Sequence, residues 1–186
     1  MRSRSRLASL PRGCFFPCGS GFSRDLFPHD PQPALVCTAP RRVSLPHHVY
    51  HLRFATQERK PVFDDFWRGR VVAACLHDRE VSGDSRTLAW TWMPDHLHWL
   101  VQLGEQAELA SLVRRFKSVS ALRVNRRCGG NGPLWQPGYY DHLIRDDDNL
   151  RDAARYIVAN PLRAGLVGRV GDYPLWDAIW LEEDRG

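Results

Sequence analysis

The sequence predicts an α+β fold, with helices packed on a β-sheet that is at least partly antiparallel. Three observations carry that prediction. Stretches that alternate in polarity and carry β-branched or aromatic residues occur at 49–56, 87–92 and 96–103. Segments with apolar residues at helical spacing intervene and follow, at 63–79, 109–127 and 150–158. Only Met93-Pro94-Asp95 joins the second strand to the third, so those two form a hairpin.

A chain of 186 residues allows one domain of ordinary size and an appendage. Its hydrophobic fraction of 43% and seven tryptophans suffice for a core, which excludes a wholly disordered chain. No apolar run approaches membrane-spanning length, so a soluble protein is expected. Cys14, Cys18, Cys37, Cys75 and Cys128 are odd in number and irregularly spaced, which fits a reducing cytoplasm better than a disulfide framework.

The net charge of +5 lies at one end. Residues 1–42 hold seven arginines against Asp25 and Asp30, and the remaining basic and acidic side chains cancel. Residues 1–40 lack a sustained period and are punctuated by prolines, so they read as a disordered basic arm. A misassigned upstream start would equally produce such an arm. Its apolar runs are too short for a secretory signal. Cys14, Cys18 and Cys37 with His47 or His48 match no standard zinc spacing.

In chain order, 49–56 is the first strand and Gln57 to Pro61 a polar turn. Phe63 to about Arg79 is a helix, and Gly83-Asp84 a turn before the hairpin. Within the hairpin stands His96-Leu97-His98. Residues i and i+2 of a strand share a face, so the two imidazoles project side by side. Such a pair is half of a divalent-metal site, or else two half-buried histidines at a strand end; the alternation after Met-Pro-Asp favours the metal. Asp95 reads as a turn residue in preference to one that orients a histidine.

Leu109, Leu112, Val113, Phe116 and Val119 define a helix whose other side holds Arg114, Arg115, Lys117, Arg123, Arg126 and Arg127. That side is either a solvated face or a surface for phosphates. Trp135 to Ile144 is irregular or strand. Asp146 to Asn149 opens a helix whose stripe Leu150, Ala153, Ala154, Ile157 and Val158 faces the core; Asn160-Pro161 weakens or ends it. Asp152, Tyr156 and Asn160 stack along one edge of this helix, where a tyrosine alone would read as a boundary core residue. Trp176 and Trp180, at helical spacing, pack a C-terminal segment.

These motifs, with Phe116-Lys117-Ser118, Trp135 through Arg145 and Tyr156-Ile157-Val158-Ala159-Asn160-Pro161-Leu162-Arg163-Ala164-Gly165-Leu166, occur in an order that resembles a known family. The sequence is similar to the single-tyrosine, histidine–hydrophobe–histidine (HUH) transposases of the IS200/IS605-like superfamily, within them to the REP-associated tyrosine transposases. The likeness runs from about Arg41 to Trp176, so the domain is drawn at 41–181, with 1–40 as arm and 182–186 as tail.

The resemblance implies a ferredoxin-like or RRM-like antiparallel sheet with packed helices. It implies that His96 and His98 hold Mg²⁺ or Mn²⁺, with Asn160 as a third ligand, and that Tyr156 is the nucleophile. The implied substrate is single-stranded DNA beside a hairpin, a REP-like palindrome, in the bacterial cytoplasm or nucleoid. Cleavage would leave a 5′-phosphotyrosyl enzyme and a free 3′-OH, retaining the ester for strand transfer. The six basic residues of the 109–127 helix become candidates for DNA phosphates. The wider superfamily leaves open a monomer or a homodimer with exchanged helices. Two alternatives stand beside this reading: a hairpin-binding regulator that does not cut, and an RRM-like RNA-binding protein, which the chain's lack of an aromatic RNP signature disfavours.

Overall fold

The computed structural model describes residues 44–145 and 147–181, apart from the side chains of 147–149 and 181. The basic arm, the tail, Asp146 and three of the five cysteines lie outside the described residues.

Strand β1 (Val49–Ala55) alternates as its sequence does: Tyr50, Leu52 and Phe54 are buried on one face, and His51 and Arg53 take the other. Helix α1 (Phe66–Leu76) starts later than the periodicity suggested, because the Asp65 carboxylate accepts from the N–H groups of Trp67 and Arg68. It also stops earlier. Asp78 caps a separate short helix, α2 (Arg79–Ser82), by accepting from Glu80 N–H. The hairpin is β2 (Arg86–Met93) and β3 (His96–Gln102).

Helix α3 (Leu109–Cys128) ends at Gly129, whose φ of 65° suits a residue without a Cβ. The segment before Ile144 becomes strand only at β4 (Tyr140–Ile144). Helix α4 (Asp147–Val158) is followed at once by α5 (Asn160–Arg163), with Pro161 in its first turn, so Asn160-Pro161 divides the helical course. Trp176 sits on strand β5 (Trp176–Ala178) and Trp180 on a 3-10 turn, which corrects the helical spacing read for that pair.

The sheet order is β4-β1-β3-β2-β5, antiparallel throughout. With β1 and β3 central and β2 and β4 beside them, this is the ferredoxin-like arrangement, extended by β5. Helices α1 and α3 cover one face. There Phe54, Trp92, Trp99, Phe116 and Trp135 form a cluster with ring centroids 5.2–6.3 Å apart. Helix α4 packs over β2 and β3 on the other face through Ala153, Ala154 and Ile157, which are buried.

Phe116 lies at the centre of the aromatic cluster and is fully buried. Phe116→Ala is expected to cost about 3–5 kcal/mol, through lost transfer energy and a residual cavity. A thermal melt would read this as a drop on the order of 6–20 °C for a domain of this size. A shift of a degree or two would show that the cluster collapses around the gap and is not close-packed.

Candidate active site

The hairpin tip that carries His96 is held rigidly. Proline fixes φ near −65°, which excludes the left-handed turns that two-residue hairpins favour. Bonds from outside the hairpin hold the tip in their stead. Thr56 N–H donates to the Asp95 carbonyl at 2.9 Å, the Thr56 hydroxyl proton is shared between the Lys60 and Asp95 carbonyls at 2.7 and 3.0 Å, and Phe63 N–H donates to the Pro94 carbonyl at 2.9 Å.

His96 and His98 project from β3 toward the α4 side of the sheet, with their Nε2 atoms 3.1 Å apart. His96 Nδ1 donates to Asp95 Oδ1 at 2.6 Å, and Arg59 donates to the other carboxylate oxygen at 3.1 Å. The turn reading of Asp95 is therefore corrected: its backbone makes the turn and its side chain orients His96. The bond from His96 holds the Asp95 carboxyl below the ordinary carboxylate range, and Arg59 adds to this. Because a carboxylate can only accept, His96 Nδ1 bears the proton and Nε2 bears the lone pair.

His98 is more deeply set, 4% exposed, and its Nδ1 lies 2.9 Å from Nε2 of His51 on β1. Burial first, and then the neighbouring His51 and His96, push its pKa well below the usual imidazole value. For His51, burial followed by the Arg53 charge and by His142 brings it to about 3. Both rings are thus neutral in the folded protein and protonate readily only when unfolded. The unfolded chain then binds more protons from about pH 6.5 down toward about pH 3, the His51 value, so stability must fall as pH falls through that window. The carboxylate contribution of Asp95 is lost lower, below its ordinary 3.8. Urea midpoints at pH 7.5, 6 and 5 are expected to decrease in that order. A flat profile would mean that these imidazoles are not desolvated.

Tyr156, from α4, meets His98 edge to face, with ring centroids 6.5 Å apart at 84°. The Arg163 guanidinium of α5 sits over the tyrosine ring, 4.7 Å from its centroid. Asn160 lies one turn beyond Tyr156. Its Nδ2 donates to the carbonyls of Tyr156 and Ile157, at 3.0 and 3.2 Å. Backbone carbonyls cannot donate, so that assignment is forced and Oδ1 is the atom available as a ligand.

The donor set combines two borderline imidazole nitrogens with a hard amide oxygen, which fits a divalent cation. Adjacent ligand atoms about 2.0–2.1 Å from such an ion stand about 3 Å apart, which matches the two Nε2 atoms. Among the described residues no group of three or more His, Cys, Asp and Glu side chains surrounds one point. The pair would therefore need oxygen donors such as an amide, water or phosphate.

The six cations of the basic helix divide into two sets. α3 lies on the face opposite the histidines, and three of its six cations are engaged within the fold. Arg115 Nε donates to the Val81 carbonyl at 3.1 Å. Lys117 donates to the carbonyls of Gln136 and Gly138 and lies over the Phe54 ring. Arg123 pairs with Asp78. Arg114, Arg126 and Arg127 are exposed.

The sequence reading assigned no role to His51, Arg53 or Arg163. Arg53 is the direct cross-strand neighbour of His98 and lies over the Tyr140 ring. Its spacing of two from His51 was a usable signal, but only with the strand register in hand.

Fold and site together define an α+β protein with a histidine pair and a helix-borne tyrosine on one face of an antiparallel sheet. The chain belongs to the IS200-like transposase family, whose sequence profile matches residues 44–160. A Haemophilus influenzae protein provisionally named a REP-associated tyrosine transposase is 35% identical over 98 residues, which cover 47% of this chain and 56% of that protein. The REP-associated tyrosine transposase of Escherichia coli is 32% identical over 88 residues, covering 46% and 50%. This chain thus spans about half the length of the curated relatives it matches. A solved structure, a REP-associated tyrosine transposase bound to a REP hairpin, shares the fold with a TM-score of 0.62 at 24% identity, covering 80% of this chain and 87% of its own. No helix among the described residues is long and apolar enough to cross a membrane.

Proposed function

We propose that this protein is a metal-assisted single-stranded DNA endonuclease and strand transferase. It cuts beside a REP-like hairpin, with Tyr156 as nucleophile and His96, His98 and Asn160 as cation ligands. The observation that carries this reading is the edge-to-face contact of Tyr156 with His98, which joins a late helix to a mid-chain strand. The hairpin-bound relative supports the DNA partner.

Tyr156 Oη attacks the scissile phosphorus, forming the Oη–P bond as the P–O3′ bond breaks. The phenol loses its proton and the departing 3′ oxygen gains one. Mg²⁺ or Mn²⁺, when bound, would supply charge stabilisation at a nonbridging phosphate oxygen. Arg53 and Arg163 place positive charge on the same side of the sheet, where they can hold the phosphate for in-line attack. The bond energy stays in the phosphotyrosine, so a later 3′-OH can reverse the step on another strand. Because the tyrosine stands beside histidines of its own chain, the geometry supports use in cis. The RNA-binding reading finds no support here: α4 covers the sheet face on which an RRM-like protein would stack bases.

Incubation with a single-stranded oligonucleotide carrying a REP-like hairpin is expected to give a denaturation-resistant protein–DNA adduct with Mn²⁺ and none with EDTA. Hairpin binding with no adduct under any metal would leave the non-cleaving regulator as the function.

A further inference from the structure

Four histidines share the α4 face of the sheet, and their register explains one that the proposed chemistry does not use. His51 pairs in register with Leu100 on β3 and with His142 on β4. His98 is thus its diagonal neighbour on the same face, within reach of a ring. The two rings lie offset, centroids 5.2 Å apart at 27°, with His51 Nε2 2.9 Å from His98 Nδ1.

Packing does not call for a histidine at this position. The large core is filled from the other face of β1, by Tyr50, Leu52 and Phe54. His51 is only 3% exposed, and an imidazole taken out of water is costly unless it is hydrogen-bonded. An aliphatic residue would fill the same space without that cost. What an aliphatic residue cannot do is accept a hydrogen bond from His98 Nδ1–H.

We infer that His51 is a positioning residue: its Nε2 accepts the Nδ1–H of His98, which turns the His98 Nε2 lone pair toward the point it shares with His96. The inference rests on the proposed cation site and adds a residue to it. Its logic is that of Asp95 and His96. A neutral imidazole has one N–H and one lone pair, so fixing the proton at Nδ1 fixes the lone pair at Nε2. Asp95 does this for the partly buried member of the pair, and His51 does it for the fully buried one, which water reaches poorly. The opposite polarity, His51 donating to His98 Nδ1, would put a proton on His98 Nε2, from where it can donate to His96 Nε2 across 3.1 Å; that proton blocks the ligand atom, so cation binding selects the first polarity. Metal-bound histidines are ordinarily held by such a partner.

Mn²⁺ binding measured calorimetrically on the full chain tests this. His51→Phe, which keeps a ring but no acceptor, is expected to weaken binding about 10–100-fold. His51→Gln, whose amide oxygen can stand near the Nε2 position, is expected to restore most of it. Wild-type affinity in His51→Phe, with binding lost in His96→Ala, would overturn this inference and leave the cation site standing. No binding by the wild type, or unchanged binding in His96→Ala, would overturn both. A measurement without variants also decides: ¹⁵N-histidine spectra of the wild type saturated with Mg²⁺ should show His98 protonated at Nδ1. An unprotonated Nδ1 would refute the inference even if His51→Phe failed to fold.

Discussion

Tyr156→Phe is expected to abolish the covalent adduct and to lower hairpin cleavage by at least about 10³-fold, in line with losses on removing other enzymes' nucleophiles. The change deletes one oxygen and keeps the ring, so the contact with His98 and the Arg163 guanidinium over the ring both persist. Hairpin affinity and the melting temperature should therefore stay near wild type. Tyr140 is the tyrosine most open to solvent, but it lies on edge strand β4 beneath Arg53. An adduct that survives in Tyr156→Phe and disappears in Tyr140→Phe would move the nucleophile to that strand.

His98→Ala should be the most damaging change at the histidine pair, and His96→Ala the more selective one. Loss of either ligand is expected to lower Mn²⁺-dependent cleavage by about 10²-fold or more, by analogy with removal of a single electrostatic stabiliser. The two differ in stability. His98 is buried and bonded to His51, so its removal leaves a gap and takes away one end of that bond, costing about 1–3 kcal/mol. The His96 side chain is partly open to water and its partner Asp95 keeps Arg59, so that cost should stay below about 1 kcal/mol. Urea unfolding of the two variants beside a cleavage assay would check both halves. Full activity in either variant would refute the metal-assisted mechanism.

Much of the fold was legible because local periodicity and burial agree. The alternation of Tyr50, Leu52 and Phe54 marked β1, and Leu109, Leu112, Val113 and Phe116 marked the inner side of α3. His96 and His98 were legible as a pair from the period of two alone. Boundaries were less so: Asp65 delays the start of one expected helix and Asp78 opens a further short one at its end, effects that depend on a few hydrogen bonds. The basic side of α3 was legible as a run of charge, but not which of its cations the fold engages. Arg115, Lys117 and Arg123 look alike in sequence, yet each is engaged by a segment distant along the chain.

What the amino-acid order determined by itself was which residues share an edge: the histidines on one strand face, and Asp152 and Tyr156 along α4 with Asn160 one turn further on, where α5 begins. Local geometry sets those relations, and they survive any arrangement of the elements. Which edges meet was decided only by the tertiary structure. Strand register set His51 diagonal to His98, and the packing of α4 on the face opposite α1 and α3 brought the tyrosine to the histidines. Such contacts arise from burying side chains against partners far away in the chain, and no local pattern encodes the partner.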